Sequence, residues 1–414
     1  MGRNDDEPES TAPESSQSFA AKRYEAAFAG KGTNLPVRIE ALREAALAEL
    51  DEDTAAFLAG GAGGDRTLDH NRRGFERWRI VPRPLRDVEE RDHEVNVLGT
   101  TLPAPIALAP VGIQARYAED GELATARAAA SHGVPLVASA VSSRTLEAIA
   151  DETGDAPAWF QLYASTDDAV VGSFVDRAEA AGYDALVVTV DAPLMGWRER
   201  TIDRESLPFF NGQGIANYLA DPAFRDRLDD PPELNEAGDV ETAVGEAAIR
   251  EFAAQFGRPS LDWNDLERIA ERTDLPVVIK GLLHPDDAAE AVERGFDGVV
   301  VSNHGGRQVD NAIASIDALP RVVDAVDDRI PVLFDSGVRR GSDAFVALAL
   351  GADAVLLGRP YLYGLAIDGE AGVRAVLANF LGDLDATLAL AGYDSWRRVD
   401  ETALQPTSPS DRRR

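Results

Sequence analysis

The side chains best suited to chemistry stand close together in 302-SNHGGRQVD-310, directly after the apolar run 296-FDGVVV-301. His304 carries an imidazole that titrates near neutrality, so it can act as a general base. Arg307, three residues on, can grip a carboxylate through two parallel N–H bonds. Gly305 and Gly306 leave both side chains uncovered. A histidine in such a loop can also be a local hydrogen-bonding residue. Only five histidines occur, however, and His284 before Pro285 and His132 before Gly133 belong to helix ends. Asp191 can orient an imidazole and stabilise its protonated form; its other reading is a cap on the turn before Pro193. Arg198, in 194-LMGWRER-200, offers a second guanidinium for a carboxylate clamp.

Lysine is scarce. Of 41 basic residues only Lys22, Lys31 and Lys280 are lysines. Lys280 ends the apolar stretch 275-LPVVIK-280, where a solubilising role makes little sense. It could form a Schiff base, as in an aldolase, or serve as a fixed cation beside developing negative charge.

These groups need a frame. Short apolar stretches recur at 105-PIALAP-110, 134-VPLVAS-139, 158-AWFQLY-163, 184-DALVVTVD-191, 276-PVVIK-280, 298-GVVVSN-303, 331-PVLFDS-336 and 353-DAVLLG-358. Helical stretches such as 119–133 and 284–295 separate them. Strands alternating with helices imply a parallel sheet, and eight such units fit an α/β (β/α)8 TIM barrel. A doubly wound open sheet is the structural alternative. In a barrel the strand ends face one mouth, where active sites are built. Ser139, Gln161, Tyr163, Thr189, Asp191, Lys280, His304, Arg307, Asp335 and Arg359 all stand there. The segments 335-DSGVRRG-341 and 357-LGRP-360 follow the last two strands, where this fold often binds phosphate.

The barrel is expected over residues 103–395, with a long insertion at about 192–260 after the fourth strand that reads as a lid or a disordered segment. Residues 19–102 read as N-terminal helices and a small extended cap. Residues 1–18 read as a disordered acidic tail and 396–414 as a C-terminal tail.

The composition excludes several functions. There are no cysteines, so disulfides, thiolate nucleophiles and cysteine metal sites are ruled out. The formal net charge of −31 argues against nucleic acid as a partner, because phosphate contacts need a basic patch. It fits a surface made for very salty surroundings. The polar, acidic N-terminal stretch and the lack of a membrane-length apolar run lead to the expectation of a cytoplasmic protein without a membrane span. No metal site is expected.

SNHGGRQVD, with VIKG before it and DSGVRRGSDAF…ALGADAVLLGRP after it, resembles the FMN-dependent 2-hydroxy-acid oxidases and dehydrogenases over about residues 40–395. Within that family AGGAG, FERWRIVPRPLRDV, FQLY, LMGWRER and the insertion look most like lactate 2-monooxygenase. The resemblance implies FMN as cofactor, an L-2-hydroxy acid as substrate, and oxygen or another electron acceptor. It also implies a homo-oligomer, since relatives are often tetramers. Pro110, Val111, Gly112, Ser139, Gln161, Thr189 and Lys280 would line the flavin ring. Asp335, Gly337, Arg339, Gly358 and Arg359 would hold the phosphate end. Tyr163 would hydrogen-bond the substrate, His304 would be the base with Asp191 beside it, and Arg198 and Arg307 would grip the carboxylate. Two positions depart from the family pattern: Phe57 replaces an expected tyrosine, and Val141 an expected tryptophan. Both make the pocket less polar or roomier, which points to a 2-hydroxy acid bulkier than lactate.

Overall fold

A computed structural model describes residues 18–30, 35–235 and 244–407. The expected tail over residues 1–17, Lys31 and part of the acidic insertion (236–243) lie outside the described residues.

All eight apolar stretches are strands: β1 (Ile106–Leu108), β2 (Leu136–Ser139), β3 (Ala158–Tyr163), β4 (Ala185–Thr189), β5 (Val277–Leu282), β6 (Gly298–Val301), β7 (Val332–Phe334) and β8 (Ala354–Leu357). They pair in parallel, each with the next, and β8 pairs with β1, so the sheet is closed rather than open. Residues facing the barrel axis are small or branched apart from Trp159; Ala107, Val137, Val187, Val278, Val300 and Leu333 fill the interior. Strands buried on both faces must be apolar along their length, which is why they read as continuous runs.

The register explains the polar rim. Ser139 pairs with Gln161, Tyr163 with Thr189, and Thr189 with Lys280. The last residues of β2 to β5 therefore share one end of the barrel. The helices lie outside, and the closing helix Arg359–Ala391 bends at Asp368 and Gly369.

Four N-terminal helices precede the barrel: α1 (Phe19–Phe28), α2 (Ile39–Glu49), α3 (Glu52–Ala59) and α4 (Arg66–Phe75). Asp51 caps α3 by accepting from the amides of Asp53 and Thr54 at 3.0 and 2.8 Å. The first residue of the helical region is Ser18, which caps α1 and so is not part of a free tail. Residues 396–407 are likewise no tail. They form two short turns and the strand Leu404–Pro406, which pairs antiparallel with Trp78–Ile80 and buries Trp396, Ala403 and Leu404.

The insertion after β4 carries the helices Glu199–Asp203, Ala216–Ala220, Pro222–Arg225 and Glu246–Gln255. Asn217, fully buried, ties it to the barrel by accepting from the Leu146 amide at 2.7 Å and donating to Ser142 Oγ at 2.9 Å. No helix among the described residues is long and apolar enough to cross a membrane.

Candidate active site

After β6 the chain takes three consecutive left-handed residues: His304 (φ 59°), Gly305 (φ 64°) and Gly306 (φ 76°). A histidine in that conformation is uncommon and must be held by its surroundings. Asn303 supplies one hold by accepting from the Gly306 amide at 3.0 Å. Ser336, after β7, supplies another by accepting from the amides of Asn303 and Gly305 at 3.3 and 2.9 Å. A side chain at Gly306 would lie 2.8 Å from the Leu68 amide of α4, so only glycine lets the loop rest on that helix.

The loop sets the His304 ring between Asp191 and Tyr163. Nδ1 is 2.8 Å from Asp191 Oδ1, and Nε2 is 3.3 Å from the Tyr163 hydroxyl. Burial opposes charge on Asp191, but His304 and then Lys280 outweigh it and hold the carboxyl below its usual range. An ionised Asp191 can only accept, so it fixes the proton on Nδ1 and leaves Nε2 as the acceptor facing the cavity. Gly281, next to Lys280, makes room for that carboxylate: a Cβ there would lie 2.6 Å from Asp191. Tyr163 is pushed up to about 12 by burial and stays a neutral donor.

Arg307 donates to the carbonyls of Phe57 and Gly60 at 2.8 Å each and lies 4.7 Å over the Phe57 ring. Arg198 approaches the Arg307 carbonyl and Gln308 Oε1, both at 3.4 Å. Neither arginine is ion-paired with a carboxylate among the described residues. Burial first, and then the Arg198 charge, push Arg307 down to about 9. Two desolvated guanidiniums side by side are a poor resting arrangement, and an anion between them relieves it.

Lys280 is 3% exposed, 3.1 Å from Asp335 Oδ2 and 3.0 Å from Ser302 Oγ. Burial disfavours its charge, yet Asp335, Asp191 and Tyr163 together raise it above the ordinary lysine value. A lysine held as an ammonium is no nucleophile, which weighs against the Schiff-base reading. Asp335, expected at the phosphate end, instead neutralises Lys280; a carboxylate beside a phosphate would repel it. Arg339 and Arg359, both driven down to about 10 by burial, line the same cavity as Gly337 and Gly358. Arg359 presently donates to the carbonyls of Leu58, Gly60 and Gly305, each at 3.0 Å.

A cavity open at its mouth joins these groups, with about 1230 Å³ of empty space when the solvent at its mouth is included. Its walls include Pro110, Val111, Gly112, Tyr163, Thr189, Arg198, Lys280, His304, Arg307, Asp335, Gly337, Arg339, Gly358 and Arg359. Three expected residues stand behind the wall rather than on it. Asp191 backs His304, while Ser139 donates to Gln161 at 3.0 Å. Buried polar atoms without partners mark the strand ends: Gln161 Nε2, Thr189 Oγ1 and Asp191 Oδ2. Such atoms are costly unless something else meets them. A flat ring bearing several polar atoms, with an anionic tail towards Arg339 and Arg359, fits this donor set.

Sequence reasoning missed Asn71, Tyr117, Ser302, Ser336 and Phe256. Asn71 exchanges two amide hydrogen bonds with Asn303, at 2.8 and 2.7 Å, across 232 residues of chain. Nothing local in α4 announces that contact. Ser302 and Ser336 lie inside stretches already singled out, and their places at strand ends were an available signal.

A family model described as FMN-dependent dehydrogenase matches residues 46–406. An L-lactate oxidase from Lysinibacillus sphaericus is 41% identical over 87% of this chain and 90% of its own length. The FMN-dependent alpha-hydroxy acid dehydrogenase PB1A11.03 of Schizosaccharomyces pombe is 41% identical over 86% of this chain and 87% of its length. The crystal structure of a mandelate oxidase superposes with a TM-score of 0.76 at 37% identity, covering 89% of this chain and 98% of that one. These relatives do not bear the name lactate 2-monooxygenase, so the narrower likeness is not shown by them. The chain belongs to the FMN-dependent α-hydroxy acid dehydrogenase and oxidase family and is an FMN-dependent α-hydroxy acid oxidoreductase.

Proposed function

We propose that the protein oxidises an L-2-hydroxy acid, the size of lactate or larger, to the 2-oxo acid and passes the electrons to oxygen. The observation that carries this reading is the Asp191–His304–Tyr163 line beside Arg198 and Arg307 at a single cavity. FMN, when bound, supplies the two-electron acceptor. Pro110 to Gly112, Thr189 and Lys280 would hold its ring, with Ser139 and Gln161 behind them. Arg339, Arg359, Gly337 and Gly358 would hold its phosphate end.

The protein's own groups divide the remaining work. Arg198 and Arg307 bind and orient the substrate carboxylate. Tyr163, as a neutral phenol, donates to the substrate. His304 Nε2 takes the proton of the 2-hydroxyl, and Asp191 stabilises the imidazolium that forms. Lys280, kept charged by Asp335, offers a fixed cation where negative charge accumulates. Phe57, Val141, Leu194, Met195, Phe209 and Phe256 make the substrate end of the cavity largely apolar, which supports a side chain larger than methyl. The relatives named oxidases support oxygen as acceptor. Arg198, Phe209 and Phe256 come from the insertion, which supports a covering role for it.

The test is anaerobic mixing with a graded set of 2-hydroxy acids, followed by air. Bleaching of the yellow protein and release of peroxide and 2-oxo acid on aeration are expected, with bulkier acids favoured over lactate. His304→Ala should lower the bleaching rate by roughly 10²–10⁴. A product one carbon shorter would assign oxidative decarboxylation instead. No reoxidation by air would assign a dehydrogenase, and trapping of substrate on Lys280 by borohydride would assign a lyase.

A further inference from the structure

We propose that Tyr117 is a substrate-contacting residue whose phenol O–H donates to the carboxylate gripped by Arg307. This rests on the reading above and names a donor that it leaves out.

Tyr117 follows the short turn Gln114–Arg116 in the loop after β1. The turn is firmly held. Its Gln114 amide donates to Glu122 Oε1 at 2.9 Å, and the same oxygen accepts from the Ser143 amide at 2.9 Å. The Tyr117 amide donates to the Gln114 carbonyl at 2.9 Å. The side chain is 6% exposed and lines the cavity together with Phe57. Its hydroxyl makes no hydrogen bond to any described residue. Tyr361, close by in the same region, satisfies its hydroxyl on the Ala109 carbonyl at 3.0 Å. Tyr218 and Tyr393 also lack partners, but their hydroxyls are sealed in the core. Tyr117 alone of these three unpartnered phenols lies on the cavity wall.

The surroundings indicate what would meet it. Tyr117 feels the charges of Arg307, Arg116 and Arg359, while Arg307 also acts on Tyr163. Tyr117, from the loop after β1, and Tyr163, from β3, line the same cavity as Arg307 and the Phe57 ring beneath it. A carboxylate offers about four acceptor positions on two oxygens. Arg307 spends Nη1 on the Phe57 and Gly60 carbonyls, and Arg198 turns Nε and Nη2 to the Arg307 carbonyl and Gln308 Oε1, so the two guanidiniums leave room for a further donor; Phe57 beneath Arg307 has none to add. Tyr117 supplies the missing one. A phenol used only for packing would do equally well as phenylalanine, and that is the contrast to test.

The experiment uses Tyr117→Phe, reconstituted with FMN. Five quantities are measured: FMN content, thermal midpoint, the Kd of the 2-oxo acid product from the visible spectrum, and the KM and kcat of the preferred 2-hydroxy acid. A rise of about tenfold in both Kd and KM is expected, the size of a lost hydrogen bond to a charged group, with kcat changed much less. FMN content and the thermal midpoint should stay at the wild-type value, because the hydroxyl has no partner among the described residues. Kd and KM within about twofold of wild type would overturn the assignment. So would loss of FMN or of folding, since either would place the hydroxyl in cofactor binding or the core. If no 2-hydroxy acid bleaches the wild-type protein, the proposed function fails first, and the two failures are told apart.

Discussion

The charge on Asp191 is what distinguishes His304 from an ordinary loop histidine. Asp191 Oδ1 meets Nδ1 at 2.8 Å, while Oδ2 is buried and has no partner among the described residues. Asparagine would keep the shape and remove the charge. It could also present its amide to Nδ1 and reverse the imidazole tautomer, which takes the lone pair away from Nε2. Asp191→Asn should therefore lower kcat by roughly 10²–10⁴, comparable to losing the base, and move KM far less. Single-turnover reduction of the flavin is the direct measurement. A loss confined to KM would show that Asp191 serves substrate binding instead.

The loop carrying His304 depends on elements far away in sequence. Asn71 of α4 and Asn303 form a closed amide pair, and Asn71 Oδ1 also accepts from the Ser315 amide at 3.2 Å. Asn71→Ala strands two buried donors, one N–H of Asn303 Nδ2 and the Ser315 amide, and removes one of the two donors to Asn303 Oδ1. It should cost about 1–3 kcal/mol or more in denaturant unfolding and slow flavin reduction as the left-handed loop loosens. Wild-type stability in this variant would mean that the loop holds itself. Elsewhere, Asp385 on the closing helix ties that helix to the N-terminal region. It accepts from Arg91 Nε at 2.6 Å, faces His93 Nε2 at 2.9 Å and accepts from the Ala20 amide at 2.9 Å. Burial would raise its pKa, but His93, Arg91 and Ala20 together hold the carboxyl well below the usual range. Its folded pKa is depressed, so its stabilisation is full above about pH 4 and lost as pH falls through the folded value. Asp385→Asn should lower the thermal midpoint at neutral pH, and the deficit should shrink in acid. A deficit independent of pH would assign the loss to shape rather than charge.

The eight strands and their polar ends were legible in the sequence because burial on both faces forces apolar runs, and because strand ends and loops are free to be polar. The candidate base His304 and Arg307 were legible because they share one short loop. What was hidden depends on distance along the chain. Asn71 meets Asn303 only after closure of the barrel, and Tyr117 looks like any loop aromatic until it is seen on the cavity wall. The resemblance implies Asp335 at the phosphate end; only the folded chain shows its carboxylate 3.1 Å from Lys280 on the cavity wall.

The molecule as a whole carries 72 acidic residues against 41 basic ones, a net of −31. Two salt effects oppose each other. Surface pairs such as Arg127 with Asp120, Glu152 and Glu370 weaken with added salt. Exposed pairs contribute only about 0–1 kcal/mol each, so their loss is small. Repulsion among the unpaired carboxylates is spread over the entire surface and opposes folding at low ionic strength. Screening lengths fall from about 10 Å at 0.1 M to about 3 Å at 1 M, which removes most of that repulsion. The net effect should be a thermal midpoint that climbs steeply as potassium chloride rises from about 0.1 to 2 M. The same screening should lower KM, because an anionic substrate must cross the negative field before reaching Arg198 and Arg307. Those two arginines are half-buried in the cavity and lose less of their own attraction than exposed charges do. General salting-out would also raise the midpoint, so the control is pH. Near the sequence pI of about 4.5 the net charge vanishes, and the dependence on salt should collapse if repulsion is its cause. Full stability in dilute buffer at neutral pH, or an equal salt slope at both pH values, would refute a surface built for high salt.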